Sequence, residues 1–154
     1  MIGEAAAWLQ ATALAQTLRA SAWLYPLVNL THLLGIALLF GAIAALDLRL
    51  LGLWRGVPLE ALARPLVPVA GAGLGLALAT GPLLLTVQAV DYAANPLLYA
   101  KFAAIGVGLV NIALLHRRAA WRAEAAGPRL RAAGLVSLAS WLGAIAAGRL
   151  IAYW

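Results

Sequence analysis

With no cysteine and a single methionine, Met1, the side chains able to carry proton, metal or redox chemistry reduce to two histidines, one lysine and five carboxylates. The absence of thiols removes thiolate sites and thiol catalysis, and it disfavours copper, which prefers soft ligands. No paired carboxylates lie in the apolar stretches. No nucleophile stands at a recognisable spacing from a histidine, which argues against a hydrolase and assigns no catalytic residue. What remains is a set of polar residues inside apolar sequence: His32, Asp47, Arg49, Gln88, Lys101, Asn111, His116 and Arg149. Such groups are costly in hydrocarbon, so they are the first candidates for function. Advancing about 100° per residue, Tyr25, Asn29 and His32 share one side of a helix, and Gly35 and Ile36 continue the strip. An imidazole followed one turn later by glycine suits a flat cofactor ring, with His32 as metal ligand and Tyr25 and Gly35 beside it. The alternative is a histidine hydrogen-bonded between helices.

Lys101 and Arg149 stand at a depth similar to that of His32, where cations suit the carboxylates of a cofactor; Lys101 equally suits snorkelling to headgroups. His32 and His116 cannot share one iron. Helical rise separates them by ~15 Å along the membrane normal, against about 4 Å between axial nitrogens. A second ligand to an iron on His32 would be Lys101, water, or His32 of another copy. Asn111 is expected to bond a neighbouring helix, and His116 to meet solvent or headgroups. Asp47 and Arg49, two apart on a helix, do not face each other and need separate partners.

The elements that position these residues follow from composition. Of 154 residues, 65% are apolar and 10% charged, with a mean hydropathy of +0.94. That excludes an ordinary soluble domain and a disordered chain. Covering about 30 Å of hydrocarbon takes roughly 20 residues. Four stretches qualify: 24–51, 66–90, 97–115 and 132–154. The chain reads as one all-α membrane domain over 1–154, a four-helix transmembrane bundle. Residues 1–21 read as an N-terminal interfacial helix, with Trp8, Ala11, Ala15 and Leu18 at helical spacing. Ala20-Ser21-Ala22 looks like a signal-peptidase site, but the first basic residue is Arg19, whereas a cleaved signal carries its charge ahead of the apolar stretch.

Eight of the eleven basic residues, namely Arg49, Arg55, Arg64, Arg117, Arg118, Arg122, Arg129 and Arg131, fall at one face. The positive-inside rule makes that face cytoplasmic and puts both termini outside. The net charge of +6 is then a topology signal, with no basic soluble module to meet nucleic acid. Pro58 starts a short helix, and residues 117–126 extend the third span until Gly127-Pro128. Gly71-Ala72-Gly73-Leu74-Gly75 lacks the strand and acidic residue of a dinucleotide site. The strips Gly71/Gly75/Ala79, Ser140/Ala144/Gly148 and Ala139/Gly143/Ala147 read as close-packing surfaces, and Gly81-Pro82 as a kink.

Tyr25-Pro26, His32-Leu33-Leu34-Gly35-Ile36-Ala37-Leu38-Leu39, Asp47-Leu48-Arg49-Leu50-Leu51-Gly52, Tyr92-Ala93-Ala94-Asn95-Pro96, Lys101, Asn111, His116-Arg117, Trp141 and Gly148-Arg149-Leu150-Ile151-Ala152-Tyr153 resemble a bacterial family of small four-helix integral membrane proteins to which no activity is assigned. The resemblance covers nearly the whole chain and implies a fold. More loosely, a histidine in the first span and a lysine opening a later one are similar to the haem-binding four-helix protoporphyrinogen oxidase. The helical pattern is similar to the membrane domain of the copper-resistance D proteins. The former resemblance implies that His32 and Lys101 serve a haem.

The expected function is a b-type haem protein of the bacterial inner membrane, transferring electrons near the outer face, alone or as the membrane subunit of an oxidoreductase. His32 would be the axial ligand, Lys101 a second ligand or propionate partner, and Arg149 a propionate clamp. The alternative is a cofactor-free structural or assembly subunit. Expected partners are the lipid bilayer and further copies or a larger membrane complex, with no nucleic acid. Transport of a small anion past Lys101 and Arg149 lacks the mirrored pair of broken helices such a path uses.

Overall fold

The computed structural model describes residues 1–117 and 127–153, and every regular element among them is helical. Four helices are long and apolar enough to cross a membrane, which makes this a multi-pass membrane protein. Helix α1 covers Ile2–Ala11, α2 Ala13–Ala20, α3 Leu24–Leu51, α4 Leu59–Val87, α5 Ala89–Ala94, α6 Pro96–Arg117 and α7 Pro128–Leu150, followed by a 3-10 turn at Ile151–Tyr153. The spans are α3, α4, α6 and α7. The expected helical extension over 117–126 lies outside the described residues from 118 onward, as do the side chains of His116 and Arg117.

Helix α3 begins and ends where its apolar run does. It stops at Gly52, whose φ of +111° is open to glycine, and the Gly52 and Leu53 amides close onto the carbonyls of Arg49 and Leu48. The second span is longer than its apolar stretch. The helix expected to start at Pro58 is continuous with it, and Pro65, Pro68 and Pro82 all lie inside α4 without ending it. Neighbouring helices and local adjustments satisfy the backbone groups that proline frees within a membrane bundle. The chain breaks instead at Gln88, with φ −135° and ψ 46°, beyond which α5 turns aside.

The N-terminal segment is two helices and not one. Thr12 is extended, with φ −62° and ψ 149°; its hydroxyl donates to the Leu9 carbonyl at 2.7 Å and accepts from the Ala15 amide at 3.3 Å. A threonine side chain thus competes with the backbone and caps α2. Helix α1 packs on α5 and α2 on α4, burying Ala6, Ala15 and Leu18 and leaving Trp8 70% exposed. Gln10 accepts from the Val90 amide at 3.0 Å, while Arg19 donates to the carbonyls of Val87 at 2.8 Å and Gln10 at 2.7 Å. The pair therefore covers the broken end of α4.

The spans pack in the order α4–α3–α7–α6, with α3 and α7 central, and α4 and α6 make no interface comparable to these. The α3–α4 crossing is backbone on backbone. A Cβ on Gly73 would meet the Leu39 nitrogen and, at 2.6 Å, the Gly35 carbonyl; one on Gly35 would meet the Ala77 nitrogen and Gly73 carbonyl, both at 2.9 Å. The expected strip of Gly71, Gly75 and Ala79 is not this surface: all are exposed, and Gly71 and Gly75 have open space at their missing Cβ. Small residues occupy both phases of the helix, so only tertiary packing selects the phase that includes Gly73. On α7 Ser140 and Ala144 are buried as expected, together with Ser137 and Trp141, whereas Ala139 and Gly143 of the second strip face outward.

Candidate functional site

The end of the bundle that carries the termini gathers polar side chains from all four spans. His32, about two turns into α3, directs Nδ1 at the Thr80 hydroxyl of α4 at 2.9 Å, and that hydroxyl donates to the Leu76 carbonyl at 2.6 Å. With its proton committed to Leu76, Thr80 can only accept, so Nδ1 holds the imidazole proton and Nε2 keeps its lone pair. The ring edge lies beside Gly81, where a Cβ would stand 3.3 Å from Cε1. Lys101 of α6 is half-buried and within electrostatic reach of His32. Its chain runs over α7 at Gly148, whose missing Cβ would be 3.3 Å from Nζ. His32 thus sits on α3 between α4 and the lysine of α6.

Above it opens a cleft of about 280 Å³ lined by Tyr25, Gln88, Asp91, Tyr92, Asn95, Ile151 and Ala152. Burial pushes the Tyr92 phenol above its ordinary range, and the neighbouring Tyr25 and Asp91 add to the effect. Tyr25 therefore belongs to the mouth, one step outward from His32 along the Tyr25–Asn29–His32 side of α3.

Two of the expected site residues stand differently. The surface of Gly35 is taken up by the α4 backbone, so this glycine makes the helix crossing and leaves no gap for the edge of a ring. Arg149 is exposed and turned along its own helix end: Nη2 donates to the Tyr153 hydroxyl at 2.6 Å, with the guanidinium carbon 5.0 Å from that ring's centroid. Its cation is engaged there and not beside His32. Thr80 and Gly81 are the residues the sequence reading passed over. A hydroxyl in a span ordinarily satisfies itself on its own backbone; here it does so and orients an imidazole as well. The signal was a hydroxyl directly before the Gly81-Pro82 pair.

At the basic end, Arg49 is buried yet reaches the α3–α4 loop, donating through Nε to the Val57 carbonyl at 2.7 Å and through Nη2 to the Arg55 carbonyl at 3.3 Å. Asn111 does bond across helices, to the Ala133 carbonyl of α7 at 3.0 Å. Asp47 turns away from Arg49 to Ser137 of α7. Among the described residues no three His, Asp or Glu side chains converge in a way that could hold a metal ion. No protein-family model, curated protein or solved structure matches this chain.

Proposed function

We propose that this chain is a b-type haem protein of the bacterial inner membrane, moving electrons near the outer face, alone or as the membrane subunit of an oxidoreductase. The observation that carries the reading is the hydrogen bond from His32 Nδ1 to Thr80. Metal-binding imidazoles characteristically donate their second nitrogen, which fixes the tautomer and aims the lone pair of the other. A lone imidazole suits a metal that brings its own equatorial ligands, and the haem would supply one-electron transfer. Within the chain, Thr80 orients His32, Gly81 admits the imidazole edge against α4, and Lys101 offers a cation to a carboxylate or a second ligand. Arg149 could join only by leaving Tyr153. The eight arginines that follow the first and third spans in the sequence support termini that face outward.

The test is the absorption spectrum of protein purified after expression with haem supplied. A Soret band that disappears in His32→Ala supports the reading; no Soret band in the wild type ends it. A cofactor-free structural subunit is the second reading, favoured by one observation: α4 fills the face of Gly35 and His32 closes onto Gly81, as an interhelical strut would. It predicts that His32→Ala still co-purifies the same membrane partners.

A further inference from the structure

Asp47 lies in the half of α3 away from His32, facing α7, and only 3% of its surface is exposed. Gly134 brings α7 onto it, since a Cβ there would stand 3.2 Å from the Asp47 carbonyl. Ser137 of α7, 1% exposed, takes one hydrogen bond with the carboxyl, and Oδ2 has no partner. One turn further along α7, Trp141 is 4% exposed and its indole N–H is also without a partner. That N–H edge lies over Gly108 of α6, 3.2 Å from the position of its missing Cβ. Around this turn of α7 stand an orphan acceptor, on Asp47 of α3, and an orphan donor, on Trp141 at the side that meets α6, and each costs stability if left dry.

Among the described residues no positive side chain answers the carboxyl. Arg49 on its own helix is held by the loop carbonyls of Val57 and Arg55. On α7, Arg129 and Arg131 are exposed; on α4, Glu60 and Arg64 are exposed. The described side chain nearest in kind on α6 is Asn111, bonded to Ala133. A hard metal ion would want about six oxygens, and the junction offers a carboxyl, one hydroxyl and an N–H that repels cations. A proton needs a single oxygen.

We infer that Asp47 is an exchangeable proton-binding site inside the membrane, served by a water held between its Oδ2 and the Trp141 N–H. The water accepts from the indole in either state. It donates to an ionised carboxylate and accepts from a protonated one, so the site takes up a proton without side-chain movement. On uptake Oδ2 gains the proton and the carboxyl goes from a charge of −1 to neutral; on release the proton passes to the water, and no electron moves. The site stands independently of any cofactor at His32.

Asp47 and Asp91 are the only aspartates. Asp91→Asn protein made with ¹³C-carboxyl aspartate, in lipid bilayers, therefore isolates Asp47 by infrared spectroscopy. The expected result near neutral pH is a protonated-acid C=O stretch that shifts in D₂O. In Trp141→Phe, which keeps the ring and removes the N–H, that exchange slows severalfold. In unlabelled protein the corresponding band is lost in Asp47→Asn. A labelled signal consisting only of carboxylate stretches, an acid band that D₂O leaves in place, or exchange unchanged in Trp141→Phe would each overturn the inference. The labelled Asp91→Asn protein decides the matter even where Asp47→Asn does not fold.

Discussion

The two seams on either side of α3 handle polar groups in opposite ways. Against α4, the chain from His32 through Thr80 ends on the Leu76 carbonyl, so each Nδ1 and Oγ1 proton has an acceptor, and the helices touch through Gly35 and Gly73. Against α7, the chain from Ser137 to Asp47 stops at an oxygen without a partner, and the N–H of Trp141, one turn along α7, is also unmet. A completed chain holds helices together and sets a tautomer; an incomplete one marks a place for water and protons. The first seam packs glycine on glycine, whereas the second sets Gly134 of α7 against the Asp47 backbone and Leu50 side chain of α3.

The largest test of this contrast is Gly73→Ala. Its Cβ would meet backbone atoms of Leu39 and Gly35, which cannot swing aside, so the first seam must part. Overpacking of this kind costs about 1–3 kcal/mol, read as a lower Tm by circular dichroism in detergent. Gly75→Ala, with open space, should hold or raise Tm, because alanine favours helix by about 1 kcal/mol over glycine. Equal losses from both would remove the distinction between the two glycine phases.

Next is Thr80→Val, which preserves shape but removes the hydroxyl that meets His32 Nδ1. A loss of about 1–3 kcal/mol is expected, together with a shifted Soret maximum if haem is held, because the imidazole loses its orienting partner. An unchanged Tm and spectrum would mean that the first seam does not depend on its polar chain. Asn111→Ala removes the α6–α7 bond to Ala133 and should cost about 1 kcal/mol, within the range of interhelical bonds in membranes. The smallest effect belongs to Tyr153→Phe. It deletes the exposed bond from Arg149 and should move stability by less than about 0.5 kcal/mol; a large loss would place Arg149 in the framework of the terminal end.

The limits of reading this chain unaided show at particular residues. Tyr25, Asn29 and His32 lie on one side of α3 because helical period demands it, and Asn111 bonds another helix because an amide in hydrocarbon must. Gly35 was misjudged as an opening, since a glycine looks the same whether a ring or another backbone approaches it. Thr80 and Ser137 drew no attention because each residue type is ordinary in a span, and Trp141 entered only as part of a family resemblance. They acquire a role only from what α3 places opposite them.

Hydropathy over runs of roughly 20 residues decided by itself that this is a helical protein with four spans, because unpaired backbone cannot exist in lipid and helix satisfies it locally. Which phase of α4 meets α3, that Arg149 turns to Tyr153, and that Asp47 keeps an unpaired oxygen were decided only by the tertiary structure. Those outcomes depend on rotation and spacing between helices, and small residues on every face of α4 and α7 leave such choices nearly degenerate until the whole set packs.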